Sequence, residues 1–242
     1  MKKLVAAMLC LALSLMCAVG LANEKIDPSE LQIGVIMIGD TSDMGFNYSH
    51  LVGLQEMQKN LGIEDRQITI LENVADDSTC ADAISELISN GCNVIIGNSF
   101  GFQTYMYEAA AQHPEVLFCH YSGLLQNDTN FCRFNARNYQ TRYLQGIAAA
   151  MRSESGKIGF VGAFKNAEVN VSLNAYALGA QSVNPDVTVY VKYTNSWYDP
   201  DGETAAANAL IDLGCDVICQ YVNTTGPQTA AQERGVWGLG SD

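Results

Sequence analysis

The 242-residue sequence is poor in basic side chains, with 13 Lys and Arg against 26 Asp and Glu and a formal net charge of −13. This balance argues strongly against a nucleic-acid-binding protein, because Lys and Arg must replace the counterions of the phosphates. No GxxxxGK[ST] or GxGxxG loop occurs, so a phosphate ligand is also disfavoured. A hydrophobic fraction of 48% with only 16% charged residues excludes a disordered tail or a coiled coil.

Motifs of catalysis and metal binding are missing too. The sequence has no CxxC, no Cys/His cluster with zinc spacing, no GxSxG and no HExxH. Two of the eight cysteines lie near the N-terminus, and the irregular spacing of the other six does not predict a disulfide framework. His113 and His120 are interpreted as surface or core histidines. We therefore expect a binding protein rather than an enzyme, without a metal or cofactor.

The N-terminal segment has the pattern of a secretory signal peptide. Two lysines precede an apolar run from Leu4 to Val19, and Gly20-Leu21-Ala22 supplies the small residues of a cleavage site. A retained transmembrane anchor is the less favoured alternative, because the apolar run is short. Lipidation of Cys17 is a second alternative, although Met16 is bulky for that position. Residues 1–22 are thus predicted to be removed from an exported protein, periplasmic or at the cell surface.

From residue 33 onward, short apolar runs alternate with helical patterns. Apolar strands that alternate with helices predict a parallel sheet covered on both faces. In residues 23–153, the predicted first lobe, strands begin at Ile33, Ile68, Val94, Val116 and Phe131, and helices span Tyr48 to Asn60, Ser78 to Asn90 and Phe102 to Gln112. Asp77 or Ser78 is expected to cap the second of these helices, and Gly91 to end it.

A second series of elements restates the first, which predicts two similar α/β lobes. Ile33-Gly34-Val35 is echoed at residues 158–161, and residues 87–95 are echoed at residues 210–218. In residues 154–242, the predicted second lobe, strands span 157–162, 187–193, 216–220 and 236–239, and helices span 169–183, 202–213 and 227–234. The last strand has no helix after it, so we expect this lobe to be incomplete and the chain to be truncated.

The segments that follow the strands hold the candidate ligand-binding residues, because ligands of open parallel sheets bind beyond the carboxyl ends of the strands. They combine amide and carboxylate groups with aromatic rings, and they lack Lys and Arg. Rings can stack on the faces of a flat heterocycle while polar groups read its edges. The segments are residues 39–50, 97–102, 194–199, 221–225 and 241–242.

Several motifs together resemble the basic membrane protein (BMP/Med) family. They are Asp43-Met44-Gly45-Phe46-Asn47, residues 139–146, residues 156–161, residues 183–186 and residues 195–200. The resemblance covers residues 31–242. It implies a type 1 periplasmic-binding fold, a substrate-binding protein of an ABC importer, a permease as partner, and a purine nucleoside, a nucleobase or another heterocycle such as riboflavin as ligand.

The resemblance also implies roles for individual residues. Asp43 and Asn47 correspond to polar groups that read the base, and Phe46 to a stacking wall. Ser99 and Phe100 correspond to contacts of the first lobe. In the second lobe, Trp197 corresponds to a pocket aromatic and Asp242 to a carboxylate that binds ribose hydroxyls. Asn223 is a candidate through its place in the strand-end segment 221–225.

Two other functions stay open on the sequence. An exported nucleoside hydrolase could use Asp40 and Asp43 as a carboxylate pair, although aspartates in such loops are more often caps or solvated turn residues. A ligand-sensing module for a membrane partner could use the same fold.

Overall fold

The computed structural model describes residues 26–43 and 45–240. The predicted signal peptide, the alternative lipid site at Cys17, and Asp242 lie outside the described residues. Within the described ranges, no helix combines the length and the apolar character that crossing a membrane requires.

The first lobe is built on a five-stranded parallel sheet with the order β2-β1-β3-β4-β5. Its strands are β1 (Ile33–Ile36), β2 (Ile68–Leu71), β3 (Val94–Gly97), β4 (Leu117–Tyr121) and β5 (Phe131–Phe134). Ile33 in β1 is paired with Ile68 on one side and with Val94 on the other. Ile36 packs into a core on one face of the sheet while Val35 packs into a core on the other. The prediction of a sheet covered on both faces is confirmed.

Three helices cover this sheet: α1 (Phe46–Leu61), α2 (Thr79–Ser89) and α3 (Gln103–Gln112). The Asp77 side chain accepts a hydrogen bond from the Thr79 amide at 2.8 Å, and Gly91 has a φ of 86° just after α2, as predicted. Helix α1 begins two residues earlier than predicted. Phe46, which the sequence places in a polar loop, is therefore its first residue.

The second lobe has a four-stranded parallel sheet with the order β7-β6-β8-β9. Its strands are β6 (Lys157–Gly162), β7 (Thr188–Tyr193), β8 (Val217–Tyr221) and β9 (Trp237–Leu239). Helices α5 (Ala167–Val183), α6 (Pro200–Asp212) and α7 (Gly226–Glu233) cover it. Every predicted element of this lobe is present, with bounds shifted by one or two residues.

One helix was not predicted. Helix α4 (Asn138–Arg152) follows β5 and packs along α5. The two helix backbones touch, because a Cβ on Gly146 would lie 2.0 Å from the Tyr176 carbonyl oxygen and one on Gly179 would lie 2.0 Å from the Tyr143 carbonyl oxygen. The domain boundary at residues 153/154 stays a prediction. The α/β architecture with two parallel sheets is that of type 1 periplasmic binding proteins.

Candidate functional site

A narrow cavity lies between the two lobes. Its lining residues come from segments just beyond the carboxyl ends of β1, β3, β6, β7 and β8, and from the start of α4, as parallel sheets predict. They are Ile38, Phe46, Asn98, Ser99, Phe100, Asn138, Glu168, Trp197, Tyr221, Val222 and Asn223. Five of the predicted site residues, Phe46, Ser99, Phe100, Trp197 and Asn223, are thereby brought together.

A larger opening of about 500 Å³ adjoins this cavity and shares Phe46, Val222 and Asn223 with it. Asp43 lines this opening rather than the cavity. Its carboxylate accepts hydrogen bonds from the backbone amides of Asn47 and Tyr48, at 2.8 and 3.0 Å, and so caps the N-terminus of α1. The contact predicted between Asp43 and the ligand stays a prediction.

Asn47 does not reach the surface of the cavity. Its side chain is only 2% exposed, and its amide oxygen accepts a hydrogen bond of 2.9 Å from the Asn98 amide nitrogen. Its own amide nitrogen donates to Asp43 at 2.8 Å. Asn98 in turn accepts from the Ile38 backbone amide at 3.0 Å, which joins the ends of β1 and β3. Asn47 thus supports the cavity from behind, and its predicted contact with the ligand stays a prediction.

Ser99 and Phe100 open a short 3₁₀ turn after β3. The Ser99 hydroxyl donates to the Asp76 carboxylate at 3.0 Å, and its carbonyl oxygen lies 2.7 Å from a ring nitrogen of His120. His120 is fully buried, so it is the core histidine that one interpretation predicted. With the hydroxyl of Ser99 held in this way, the ring of Phe100 is the principal surface that this turn offers to the cavity.

The aromatic rings of the cavity come from both lobes. In the first lobe, Phe46 packs edge to face on His50 and Tyr121, with ring centroids 4.7 and 5.7 Å apart. In the second lobe, Trp197 packs against Phe164 at 5.4 Å and lies 6.2 Å from Tyr221. Each ring is held by neighbours of its own lobe, so both lobes contribute preformed apolar walls.

The polar surface of the second lobe is less occupied. In the described ranges, the Asn223 side chain makes no hydrogen bond, while its backbone amide donates to the Trp197 carbonyl oxygen at 2.9 Å. Glu168 accepts from the hydroxyls of Tyr221 and Ser122, at 3.1 and 3.3 Å. An amide and a carboxylate thus face the cavity from this side.

A buried glutamate holds the loop that carries Asn223. Glu203 is fully buried in α6 and accepts hydrogen bonds from the Asp199 amide, at 3.1 Å, and from the Thr224 hydroxyl. Burial raises the pKa of Glu203, and the hydrogen bond from Thr224 opposes that shift. These bonds tie the start of α6 to the loop after β8.

Six lining residues were missed by the sequence analysis: the apolar Ile38 and Val222, and four that carry polar groups, Asn98, Asn138, Glu168 and Tyr221. Asn98 and Tyr221 stand in segments that were singled out, so the strand-end rule could have found them. Glu168 lies in the first turn of α5, and Asn138 begins the unpredicted helix α4. Behind Tyr221, the buried Arg142 guanidinium lies 4.7 Å from the ring centroid and donates to the Gln220 carbonyl oxygen at 2.8 Å.

The lining of the cavity carries little charge. Among its described lining residues there is no Lys or Arg, and Glu168 is the only carboxylate. The described part of the chain brings no three His, Cys, Asp or Glu side chains together as a metal site.

Comparisons with known proteins agree with this geometry. Residues 30–239 match the family described as ABC transporter substrate-binding protein PnrA-like. The chain belongs to this family. The resemblance to the BMP family is thereby confirmed.

Among the relatives of this chain, a purine-binding protein of Brucella abortus (strain 2308) is 38% identical over 219 residues, which cover 90% of this chain and 61% of that protein. A putative ABC transporter glucose-binding protein of Haloferax volcanii is 38% identical over 206 residues, which cover 85% of this chain and 51% of that protein. This chain therefore spans between half and two thirds of the length of these relatives.

A solved structure shares the fold. The ABC transporter solute-binding protein of Aeropyrum pernix K1 superposes with a TM-score of 0.76 at 20% identity, over 87% of this chain and 61% of that one. At this identity the likeness concerns the fold alone, which is that of a two-lobed solute-binding protein.

Proposed function

We propose that this protein is the solute-binding component of an ABC importer, which captures a purine nucleoside or nucleobase between its lobes and delivers it to a membrane permease. The observation that carries the proposal is the interlobe cavity, with aromatic walls from both lobes, polar groups at its edge and no basic residue among its described lining residues. The chemistry of this lining suits a flat heterocycle, because the faces of such a ligand can stack on rings and its edges can hydrogen-bond.

The family and the relatives support this proposal. Capture by hinge closure follows from the position of the cavity, since a ligand that touches both lobes favours the closed arrangement. Export of the protein through the predicted signal peptide fits the same role. So does a location in the periplasm or at the cell surface, with or without a lipid on Cys17.

The direct test is calorimetric titration of the full-length protein with inosine, guanosine, adenosine, adenine and riboflavin, with glucose included because of the Haloferax relative. We expect heat of binding from at least one purine compound. Heat from glucose alone would replace the purine by a sugar as ligand, and no heat from any compound would contradict the proposal.

The hydrolase alternative finds less support in the geometry. The Asp40 carboxylate accepts hydrogen bonds from the hydroxyl and the backbone amide of Ser42, which lower its pKa. A lowered pKa is unsuited to a general acid. Asp43 is engaged in capping α1. Chromatography of inosine after incubation with the protein should therefore show unchanged nucleoside, and release of the base would favour the enzyme instead.

A further inference from the structure

A carboxylate of the first lobe contacts the second lobe beside the cavity. Asp76 lies in the loop between β2 and α2, and its Oδ2 accepts a hydrogen bond of 3.2 Å from the indole Nε1 of Trp197. The same oxygen accepts the Ser99 hydroxyl at 3.0 Å. Ser99 and Trp197 both line the cavity, whereas Asp76 stands behind them. One oxygen atom therefore joins the two walls.

Asp76 is firmly placed in its own lobe. The turn at Gly101 packs so tightly against it that a Cβ on Gly101 would lie 2.2 Å from the Asp76 Cγ. Its second oxygen, Oδ1, is buried and has no hydrogen-bond partner in the described part of the chain. Burial raises the pKa of this carboxyl, and the bonds from Ser99 and Trp197 counteract the shift. A buried carboxyl group with an unpaired oxygen is unfavourable for folding, so its presence calls for an explanation beyond local packing.

The partner of Asp76 is equally well placed in the second lobe. Phe164 and Tyr221 hold the Trp197 indole through ring contacts, and the Asn223 amide holds the Trp197 carbonyl oxygen. The indole N–H is thus carried by one lobe and its acceptor by the other. Opening of the cleft must break this hydrogen bond, while the contacts of each partner within its own lobe remain.

We propose that Asp76 is a positioning residue, which forms an interlobe clasp with Trp197 that stabilises the closed arrangement and sets the Trp197 ring opposite the Phe100 turn. This inference rests on the proposed capture of a ligand between the lobes, and it deepens it by naming a contact that favours closure before the ligand contributes. The clasp adds no contact to the ligand itself. Its effect on affinity comes from the population of closed protein.

The test measures that population directly, in the ligand-free full-length protein. Spin labels on genetically encoded keto amino acids at Lys59 and Gln181, exposed positions in α1 and α5, report the distance between the lobes without using the native cysteines. Asp76→Ala removes the acceptor, and Trp197→Phe removes only the indole N–H. Each should reduce the ratio of closed to open protein by about three- to tenfold, the range of a single hydrogen bond.

The double variant Asp76→Ala/Trp197→Phe separates a clasp from two independent effects. If the two side chains act through one hydrogen bond, the double variant opens the protein no further than the stronger single variant. Asp76→Asn, which keeps an acceptor oxygen, should restore part of the closed population. Asp77→Asn is the matched control, because Asp77 is an exposed neighbour whose side chain is hydrogen-bonded to Thr79 at the start of α2. This control should keep the wild-type distribution.

The clasp would be overturned if the two substitutions reduced the ratio of closed to open protein independently, so that their factors multiply in the double variant. It would also be overturned if the ligand-free wild-type protein had no closed population. Thermal unfolding of each variant identifies any loss of folding, and Trp197→Phe keeps the test valid if Asp76→Ala does not fold. These distances require no ligand. If Asp76 and Trp197 are coupled but the protein binds no purine, the clasp stands and the proposed ligand is refuted. If the protein binds a purine but the two residues are not coupled, the proposed ligand stands and the clasp is refuted.

Discussion

The two walls of the interlobe cavity use their polar side chains in different ways. In the first lobe, the wall residues Asn98 and Ser99 are hydrogen-bonded within the lobe, and so are Asp43 and Asn47 next to this wall. In the second lobe, the side chain of Asn223 makes no hydrogen bond within the described ranges. The first wall is therefore a rigid frame that presents rings, whereas the second offers groups that can exchange partners with a ligand. Discrimination between ligands is expected to reside mainly in the second lobe.

The helices also differ in how closely their backbones approach a neighbour: α4 and α5 are in backbone contact, whereas α1 has open space at Gly53. The largest expected effect tests this difference. Gly146→Ala should lower the free energy of unfolding by about 3 kcal/mol, because the added Cβ meets the Tyr176 backbone at 2.0 Å and forces α4 and α5 apart. Chemical denaturation measures the change. Gly53 in α1 is the matched control in the first lobe, since nothing lies within 4 Å of a Cβ there.

Gly53→Ala should instead raise the free energy of unfolding, by up to about 1 kcal/mol, through helix propensity. Equal effects of the two substitutions would show that the close approach of α4 and α5 does not distinguish the lobes.

The free energy of unfolding should depend on pH through His50, which packs behind the wall of the first lobe. Burial lowers the pKa of His50, which packs on Phe46, from 6.5 to about 4. The folded protein keeps this histidine neutral while the unfolded chain takes up a proton below pH 6.5. The free energy of unfolding should therefore fall by up to about 3 kcal/mol between pH 6.5 and pH 4 through this group.

Denaturation of wild-type protein and of His50→Gln across that pH range isolates the contribution, since other titrating groups are common to both. His113→Gln, at an exposed histidine beside Glu115, is the control. If the free energy of unfolding falls equally for His50→Gln and for wild type as the pH is lowered, His50 does not contribute to the pH dependence of stability.

The aromatic part of the second wall is tested by Trp197→Ala. Loss of a ring that stacks on a base should weaken purine binding by about 1 to 3 kcal/mol. Calorimetry measures the dissociation constant, and Trp237→Phe serves as control, because Trp237 is half exposed and lies over Arg152, away from the cavity. An unchanged dissociation constant for Trp197→Ala would place this ring outside the ligand contact.

The smallest effect addresses the difference between the walls most directly. Asn223→Ala should weaken binding by about 1 kcal/mol and leave stability near wild type, because no internal hydrogen bond of this side chain is lost. Asn47→Ala should do the reverse and lower the free energy of unfolding by about 1 to 3 kcal/mol, since Asn98 and Asp43 lose a buried partner. Binding and denaturation measured on both variants decide the matter. A stability loss in Asn223→Ala with unchanged binding would reverse the assignment of the walls.

The architecture could be predicted from the sequence because the strands are mostly apolar runs that alternate with helical segments, and the helix over residues 78–90 carries an apolar stripe. Helix α4 escaped prediction because its buried face consists of Arg142, Gly146, Ala149 and Ala150. Although its residues alternate with helical spacing, the segment is polar overall, because small residues and one arginine make up this face. This face is shaped to receive the backbone of α5, a property that is visible only when both helices are present.

By itself the sequence determined the alternation of strands and helices, the duplication into two lobes and the strand-end segments from which the cavity is built, because these depend on local patterns of apolar residues and turns. Only the tertiary structure decided which polar side chains in those segments are available. Asp43 and Asn47 look like ligand contacts in the sequence, yet they are engaged in hydrogen bonds, while Asp76 meets Trp197 across 121 positions of the chain. Whether a polar side chain can bind a ligand depends on whether folding supplies it with a hydrogen-bond partner inside the protein. That partner is set by packing between elements that are far apart in sequence.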